Sequence, residues 1–219
     1  AIIGYSEMLE DELKDSSQEP LGKDAQRIQR AGHHLLALLN DILDTSKIEA
    51  GKLELHLQSF SLSTLLDEIC ETIAPLIQKN HNEFIKEWDS SLGEMHADQL
   101  RVKQILINLL SNASKFTPNG KVEFKAYTSK EDDSALLFEI KDNGMGMTKE
   151  QQERLFSPFE QADETIAGKY GGTGLGMSIC KQLCELMQGS ISVESTHGQG
   201  TLFRIQLPRE VQTPSTQID

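Results

Sequence analysis

Positively charged residues are in short supply: the 219-residue chain has 21 lysines and arginines against 34 aspartates and glutamates, a net charge of −13 at pH 7. A surface this acidic repels phosphate backbones and anionic lipids, so nucleic acids and membrane surfaces are poor partners. A ligand that carries phosphate must therefore be bound locally, by backbone N–H groups, by a few cations or by a metal ion.

Long apolar runs are also missing. No run approaches the roughly 20 residues that a membrane-spanning helix needs, and no signal peptide is visible. We therefore expect this segment to be cytoplasmic and to make no direct membrane contact. The sequence opens at Ala1 inside a predicted helix, so we expect a fragment of a longer protein that an upstream segment can anchor to a membrane.

Cysteine is scarce, with Cys70, Cys180 and Cys184 only. The last two lie four residues apart, but two soft ligands without a third or fourth do not make a zinc site. We expect all three to be buried, reduced thiols, which suits a reducing compartment.

The first fifty residues have the pattern of a helical hairpin. Apolar spacing predicts helices over 1–14 and 21–50, and turn-forming residues separate them over 15–20. The second helix carries an apolar stripe too wide for one short helix to cover. The stripe contains Ile28, Leu35, Leu38, Leu39, Ile42 and Leu43. Two such hairpins from two chains would close a four-helix bundle, so we predict a homodimer through residues 1–50. The alternative is a hairpin that packs on the rest of its own chain.

The remaining chain mixes helices with antiparallel hairpins. Strands are predicted over 53–57, 82–88, 121–128, 135–141, 191–195 and 202–207, and helices over 61–80, 98–115, 149–155 and 174–187. The helix over 98–115 is expected to bury Leu100, Ile105, Leu106, Leu109 and Leu110. This order predicts an α/β sandwich with helices on one face of a mixed sheet.

The predicted fold class is therefore α+β, in three parts. Residues 1–52 form the helical hairpin and residues 53–208 form the sandwich domain. Residues 209–219 are polar and contain proline, which predicts a disordered tail or linker.

A polar ridge lies along one face of the helix predicted over 98–115. Asn108, Asn112 and Lys115, in the run NLLSNASKFT, lie at i, i+4 and i+7 and so share one helix face. An amide oxygen is a hard ligand that can hold Mg²⁺, and a neighbouring lysine can bind a phosphate. The alternative is an ordinary solvated helix face.

A second polar feature follows the strand over 135–141. Residues 142–147 read DNGMGM, which places Asp142 at the strand end, before Gly144 and Gly146. Two glycines one residue apart allow a tight turn and close backbone approach to a flat ligand. Alone, the pattern is also typical of a common turn.

Two further glycine runs complete the set. Residues 168–176 read GKYGGTGLG and lead into a helix, where backbone N–H groups can bind an anion. The run lacks the spacing of a Walker loop, and no strand precedes it directly, as a dinucleotide fingerprint requires. Residues 198–203 (GQGTLF) form a glycine turn into the last strand.

In this order, the segments resemble those of sensor histidine kinases, whose catalytic domain is the Bergerat ATP-binding fold that DNA gyrase shares. Residues 108–117 resemble the N box and residues 154–159 (RLFSPF) the F box. The three glycine runs resemble the glycine boxes. Residues 1–52 resemble the dimerisation and phosphoacceptor hairpin, so the likeness covers about residues 1–208.

The resemblance implies roles at the adenine end of an ATP site. Asp142 would accept a hydrogen bond from the adenine amino group, and Phe116 would pack on the base. Gly144 and Gly146 would let the base approach, and Thr201 would assist at its edge.

It also implies roles at the phosphate end. Asn112 would coordinate Mg²⁺ with support from Asn108, and Lys115 would meet the phosphates. The phosphates would lie along Gly172, Thr173, Gly174, Leu175 and Gly176. Residues 157–173 would form a lid, with Lys169 near the phosphate tail and Phe156 and Phe159 docking the lid.

One departure concerns the phosphoacceptor. The family motif is a histidine followed by an acidic residue in a Ser-His-Glu-Leu-Arg-type run, and no such run occurs in the chain. His33 and His34 lie on the second helix, in the wrong context. We therefore expect the acceptor histidine upstream of Ala1.

The resemblance implies a protein kinase that transfers the γ-phosphoryl group of Mg-ATP to histidine, for relay to an aspartate of a response-regulator receiver domain. A related ATPase would need a glutamate base four residues before the metal-binding asparagine, where Asn108 cannot accept a proton. A serine kinase on this fold normally lacks the hairpin. Intact polar and glycine boxes argue against an inactive nucleotide sensor.

Overall fold

The computed structural model describes residues 2–13, 19–88, 92–129, 132–158 and 174–212. The chain divides into two compact units, Ala1–Leu53 and Glu54–Asp219. Within the described ranges, no helix is both long and apolar enough to cross a bilayer.

The first unit is a hairpin of α1 (Ile2–Leu13) and α2 (Glu19–Glu49). Gln29 Nε2 donates to Glu7 Oε1 at 3.3 Å, while a Cβ added at Gly32 would lie 2.8 Å from Ile3 Cγ1. The pairing of later α1 positions with earlier α2 positions makes the helices antiparallel. The predicted turn falls mostly in residues 14–18, outside the described residues.

The apolar stripe predicted for α2 is open to solvent in this unit. Five of its six members are about half exposed: Ile28 48%, Leu35 54%, Leu39 49%, Ile42 47% and Leu43 54%. Leu38 is less exposed. On α1, Ile2, Tyr5 and Met8 are at least 60% exposed. The hairpin therefore leaves a large part of its apolar surface unburied.

The second unit contains seven strands and four helices within the described residues. In chain order these are β1 (Gln58–Ser61), α3 (Leu62–Lys79), β2 (Glu83–Trp88), β3 (Glu94–Ala97), α4 (Gln99–Lys115), β4 (Lys121–Thr128), β5 (Ala135–Asp142), α5 (Lys149–Arg154), α6 (Gly176–Leu186), β6 (Ser190–Thr196) and β7 (Gly200–Pro208). A five-stranded sheet has the order β2-β4-β5-β7-β6. Only β2 and β4 pair in parallel, so the sheet is mixed.

Side chains alternate across this sheet, as its two different faces require. Phe124, Phe138 and Ile205 are fully buried on the face that α4 and α6 cover. Their neighbours Glu139 and Arg204 lie on the other face and form an ion pair with 3.0 Å between Nε and Oε1. The predicted sandwich, with helices on one face of a mixed sheet, is confirmed.

The strand predicted over 53–57 is wrong. Residues 52–57 form no strand, and the first strand is β1, which pairs with β3 in a separate two-stranded sheet. The backbone N–H of His56 instead donates to Asp98 Oδ2 at 2.9 Å. Alternating apolar residues indicate a half-buried extended segment. Such a segment need not pair with another strand, so the pattern alone does not establish a β-strand.

The predicted burial of Leu100 is also wrong, since this side chain is 68% exposed. Leu100 and Leu109 are nine residues apart, which places them about 180° apart around a helix with 3.6 residues per turn. The buried face of α4 instead includes Val102, Ile105 and Leu106.

The predicted disordered tail begins too early. Val211 is 2% exposed, and its N–H donates to the His96 carbonyl at 2.8 Å. Arg209 Nη1 donates to the carbonyls of Leu92 and Glu94 at 2.6 and 3.0 Å. These contacts hold residues 209–212 on the domain beside β3, and residues 213–219 lie outside the described part.

The prediction of buried thiols is confirmed. No disulfide joins Cys70, Cys180 or Cys184, and each is at most 5% exposed. Burial raises the pKa of Cys70 to about 11 and also raises the pKa of Cys184. Both thiols therefore stay protonated at neutral pH.

Candidate functional site

Helix α4 carries the polar ridge, and its position depends on a buried cap. Asp98 is 4% exposed, and its Oδ1 accepts from the Arg101 N–H at 3.1 Å. A side-chain acceptor here satisfies one of the N–H groups that a helix start leaves unpaired. With its apolar face against the sheet, α4 presents the ridge of Asn108, Asn112 and Lys115 on another face.

The two asparagines of the ridge face the start of α6. Asn108 Nδ2 donates to Cys180 Sγ at 3.4 Å, and Asn112 Nδ2 donates to Met177 Sδ at 4.0 Å. A Cβ added at Gly176 would lie 2.5 Å from Asn108 Nδ2. The ridge is therefore not a solvated face, because it contacts the helix that follows the glycine run.

The start of α6 has the features of an anion site. Gly174 has a φ of +72°, and α6 begins at Gly176 without a side-chain cap from Leu175. Leu175 itself is 1% exposed, so only its backbone is suited to a ligand. A helix start that lacks a side-chain cap presents N–H groups and the positive end of the helix dipole to an anion.

The other end of the ridge meets the turn after β5. The Phe116 carbonyl accepts from the Met145 N–H at 3.2 Å. A Cβ added at Gly144 would lie 2.3 Å from that same oxygen. Contact with the end of α4 therefore already requires a glycine at position 144, whether or not a ligand approaches it.

Lys115 lies over the Phe116 ring, with 5.0 Å between Nζ and the ring centroid. Burial lowers the pKa of Lys115. Desolvation disfavours the ammonium form, and a phosphate beside Nζ would favour it. The geometry suits a lysine that binds an anion next to an aromatic ring.

Asp142 lies at the end of β5 and is 6% exposed. Burial raises the pKa of this carboxyl group, and a hydrogen bond from the Gly144 N–H to Oδ1, at 2.9 Å, opposes the rise. Thr201 is its partner across the β5–β7 ladder. The adenine-end residues Asp142, Gly144, Phe116 and Thr201 therefore lie together.

The third glycine run holds this turn in place. Gly146 has a φ of +61°, and a Cβ there would lie 2.1 Å from the Thr196 carbonyl oxygen. Gly198 N–H donates to the Met145 carbonyl at 2.7 Å. The 142–147 turn is thus packed directly on the β6–β7 hairpin.

Comparison with family models identifies two known domains. Residues 97–211 match the histidine kinase-, DNA gyrase B- and HSP90-like ATPase family. Residues 1–51 match the His Kinase A phospho-acceptor domain. The chain belongs to the sensor histidine kinases. In this histidine kinase, the polar ridge, the 142–147 turn and the start of α6 all fall within the ATPase-family region.

Curated relatives of the histidine kinase agree with this assignment. Autoinducer 2 sensor kinase/phosphatase LuxQ from Vibrio parahaemolyticus is 37% identical over 212 residues, 94% of this chain and 24% of LuxQ. Circadian input-output histidine kinase CikA from Synechococcus elongatus is 42% identical over 186 residues, 84% of this chain and 24% of CikA. The chain spans about a quarter of the length of these relatives.

Solved structures are similar over nearly the whole chain. Full-length ShkA in complex with AMPPNP matches 97% of this chain and 43% of its own, with a TM-score of 0.76 and 27% identity. Histidine kinase ThkA in complex with the response regulator protein TrrA matches 95% of this chain and 56% of its own, with a TM-score of 0.64 and 26% identity.

The donor set of the histidine kinase fits a magnesium ion shared with phosphates. Within the described residues, no group of three His, Cys, Asp or Glu could hold a metal alone. Mg²⁺ beside a nucleotide needs only one or two protein oxygens, because phosphates and water supply the rest. Asn112 uses its NH₂ group on Met177, which leaves its amide oxygen for a cation.

Two polar residues near Asp142 have no role in the sequence-based predictions. Thr117 is 1% exposed, and its hydroxyl makes no well-formed hydrogen bond to any described residue. The nearby hydroxyl nevertheless lowers the pKa of Asp142 and so favours the carboxylate. Ser195 Oγ accepts from the Met147 N–H at 2.8 Å and lies 3.0 Å from Thr201 Oγ1. Only the position of Thr117 directly after Phe116 could have indicated the first, and no local pattern marks the second.

Several predicted lid and phosphate residues lie outside the described residues: Phe159, Lys169, Gly172 and Thr173. Phe156 is described, and its ring centroid is 5.9 Å from Lys181 Nζ on α6. Its predicted contact with the lid stays a prediction.

Proposed function

We propose that this chain is the kinase core of a sensor histidine kinase, which binds Mg-ATP and transfers the γ-phosphoryl group to a histidine. The observation that carries the proposal is the position of α4. Its end contacts the Asp142 turn through Phe116, and its middle contacts the start of α6 through Asn108. The eight steps along the chain from Asn108 to Phe116 span about 12 Å of helix, which separates a base site from a phosphate site.

Asp142 is proposed to select adenine. Its Oδ1 accepts from the Gly144 N–H, so the carboxylate is held in one orientation and its second oxygen can accept from the exocyclic amino group. Guanine presents a carbonyl oxygen at that position and would meet the carboxylate as acceptor against acceptor. Thr201 would bind at the base edge, and Gly144 and Gly146 would shape the turn.

The phosphates are proposed to bind at the start of α6. Gly174, Leu175 and Gly176 would contribute backbone N–H groups, and Lys115 a positive charge. Gly172, Thr173 and Lys169 would extend this site. Mg²⁺ bound by Asn112 would neutralise phosphate charge, which is the main requirement of phosphoryl transfer.

Transfer to a side chain is favoured over hydrolysis. Asn108 occupies the position where a hydrolytic relative needs a base, and an amide cannot take a proton from water at neutral pH. Its Nδ2 is also engaged with Cys180. Slow ATP turnover without an acceptor histidine is the expected result.

The hairpin is proposed to form a homodimer through residues 1–50, and the phosphohistidine to serve a response-regulator receiver domain. The exposed stripe of α2 supports the dimer, because two such hairpins bury each other's apolar faces in a four-helix bundle. Light scattering of the intact chain and of a version beginning at Leu53 tests it. A monomeric intact chain would contradict the dimer.

Calorimetric titration tests nucleotide binding. ATP and ADP should bind in the presence of Mg²⁺, more weakly in EDTA, and GTP should bind far more weakly than ATP. Equal affinity for ATP and GTP would contradict the role of Asp142, and equal affinity with and without Mg²⁺ would contradict that of Asn112.

Labelling with radioactive ATP tests the site of transfer. His33 is exposed on α2, yet it lacks the acidic neighbour of the family motif. The chain as numbered should therefore bind ATP without labelling His33 or His34. A chain extended before Ala1 should gain an acid-labile phosphohistidine. Strong labelling at His33 or His34 would place the acceptor on α2 instead.

A further inference from the structure

An asparagine side chain has two ends of almost the same shape but opposite chemistry. The amide oxygen can bind a cation, whereas the NH₂ group can only donate. Which end faces a metal therefore decides whether the residue can hold it. Both amides of the ridge, Asn108 and Asn112, turn their NH₂ ends toward sulfur atoms of α6.

Met177 discriminates between the two ends of Asn112. A thioether sulfur has lone pairs and no proton, so it accepts a hydrogen bond and cannot donate one. With Nδ2 at 4.0 Å from Sδ, Asn112 makes this weak bond. If the amide turned over, its oxygen would face the sulfur lone pairs and the bond would be lost.

Cys180 can donate as well as accept, but its proton is directed elsewhere. Its Sγ donates to the Ile105 carbonyl at 3.9 Å. The side chain is 1% exposed, so water does not compete for the proton. The sulfur lone pairs are then directed at Asn108 Nδ2, 3.4 Å away.

The backbone of α6 limits rotation of Asn108 further. A Cβ at Gly176 would lie 2.5 Å from Nδ2 and 3.0 Å from Oδ1 of Asn108. The amide is thus enclosed between Gly176 and Cys180. The helix start proposed to bind phosphates and the amides proposed to serve the metal therefore form one packed unit.

We propose that Met177 and Cys180 are positioning residues. The Met177 sulfur orients the Asn112 amide so that its oxygen is presented to magnesium, and the Cys180 sulfur fixes the Asn108 amide that supports this site. The proposal rests on the proposed function, because it assumes that Mg²⁺ binds at the ridge. Neither sulfur touches the metal. A soft thioether or a neutral thiol is a poor ligand for a hard cation, which suits this indirect role.

The expected effect is a loss of metal-dependent affinity. If only a fraction of the molecules present the amide oxygen, apparent affinity falls to that fraction of its intrinsic value. Loss of orientation plus the unpaired NH₂ group should weaken Mg-ATP binding about 2- to 10-fold in Met177→Leu or Cys180→Ala. ATP affinity in EDTA and affinity for adenosine should stay unchanged, since neither uses the metal. Cys180→Ser keeps an acceptor and should bind Mg-ATP more tightly than Cys180→Ala.

Matched controls lie close by. Met187→Leu and Cys184→Ala make the same chemical changes at two other buried positions. Cys184 lies in the last turn of α6 and Met187 directly follows the helix, away from the amides. These controls should change the unfolding midpoint and leave Mg-ATP affinity as in wild type. They separate loss of packing from loss of orientation.

Calorimetry on the full chain with ATP in Mg²⁺, ATP in EDTA and adenosine decides the matter. If both Met177→Leu and Cys180→Ala bind Mg-ATP as tightly as wild type, the positioning inference is overturned. The proposed function is unaffected by that result. Equal losses with and without Mg²⁺ would also overturn it and indicate a packing role. If wild type binds ATP equally with and without Mg²⁺, the metal role of Asn112 fails first, and this inference fails with it.

Discussion

Replacing Asp142 with asparagine should change stability and nucleotide binding in opposite directions. The carboxyl group is 6% exposed, and burial raises its pKa above the ordinary value of 3.8. Charged Asp142 is thus less favourable in the folded than in the unfolded chain. This cost is fully present at pH values above the raised pKa, and it disappears as pH falls through that pKa toward the unfolded value. A neutral asparagine avoids the cost, so the variant should unfold at a higher temperature at pH 7.5 and show a smaller advantage in acid.

ATP binding should weaken in the same variant. The Gly144 N–H, now 2.9 Å from Oδ1, would bind the amide oxygen of the new asparagine. The NH₂ group would then replace the second carboxylate oxygen and face the amino group of adenine, donor against donor. Loss of one such hydrogen bond with a group left unpaired costs about 1–3 kcal/mol, or roughly 5- to 150-fold in affinity. Discrimination against GTP should fall at the same time.

Thermal unfolding at pH 7.5 and pH 4.5, together with calorimetric titration of ATP and GTP, measures both effects. Asp133→Asn is the matched control, because it makes the same change at an exposed residue between β4 and β5. The control should leave both measurements unchanged. A destabilised Asp142→Asn chain that binds ATP as tightly as wild type would refute the reasoning on both counts.

Three further substitutions test other parts of the account. Asn112→Ala should abolish the Mg²⁺ dependence of ATP binding in calorimetry while affinity for adenosine persists. Leu35→Glu on the exposed α2 stripe should shift the dimer toward monomer in light scattering, whereas Asn40→Glu on the same helix should not; a dimeric Leu35→Glu chain would contradict the bundle. Gly144→Ala should lower the free energy of unfolding by about 1–3 kcal/mol, since its Cβ would lie 2.3 Å from the Phe116 carbonyl; an unfolding curve that matches wild type would contradict this packing.

Local sequence patterns predicted most of the fold because the strongest signals are periodic. The apolar spacing of α4 and the alternation on β4 and β5 gave the layers of the sandwich and which face is buried. Failures occurred where a pattern had two physical causes. Residues 53–57 alternate without pairing, and Leu100 lies at the start of α4, outside the face that its apolar character suggested.

The candidate site was predictable in its residue types and order, which carry the family resemblance. Its contacts were not predictable, because they join residues far apart in the chain. Met177 and Cys180 lie 65 and 72 residues from the amides that they contact. Burial of the Thr117 hydroxyl likewise depends on the 142–147 turn folding over it. No local pattern encodes either fact.

We propose that one face of α4 binds Mg-ATP between the Asp142 turn and the start of α6. A crystal structure of the full chain with AMPPNP and Mg²⁺ tests it most directly. We expect the adenine amino group on the Asp142 carboxylate, Mg²⁺ on the Asn112 amide oxygen and phosphates at the N–H groups that begin α6. Adenine bound away from Asp142, or Mg²⁺ coordinated without Asn112, would contradict the claim.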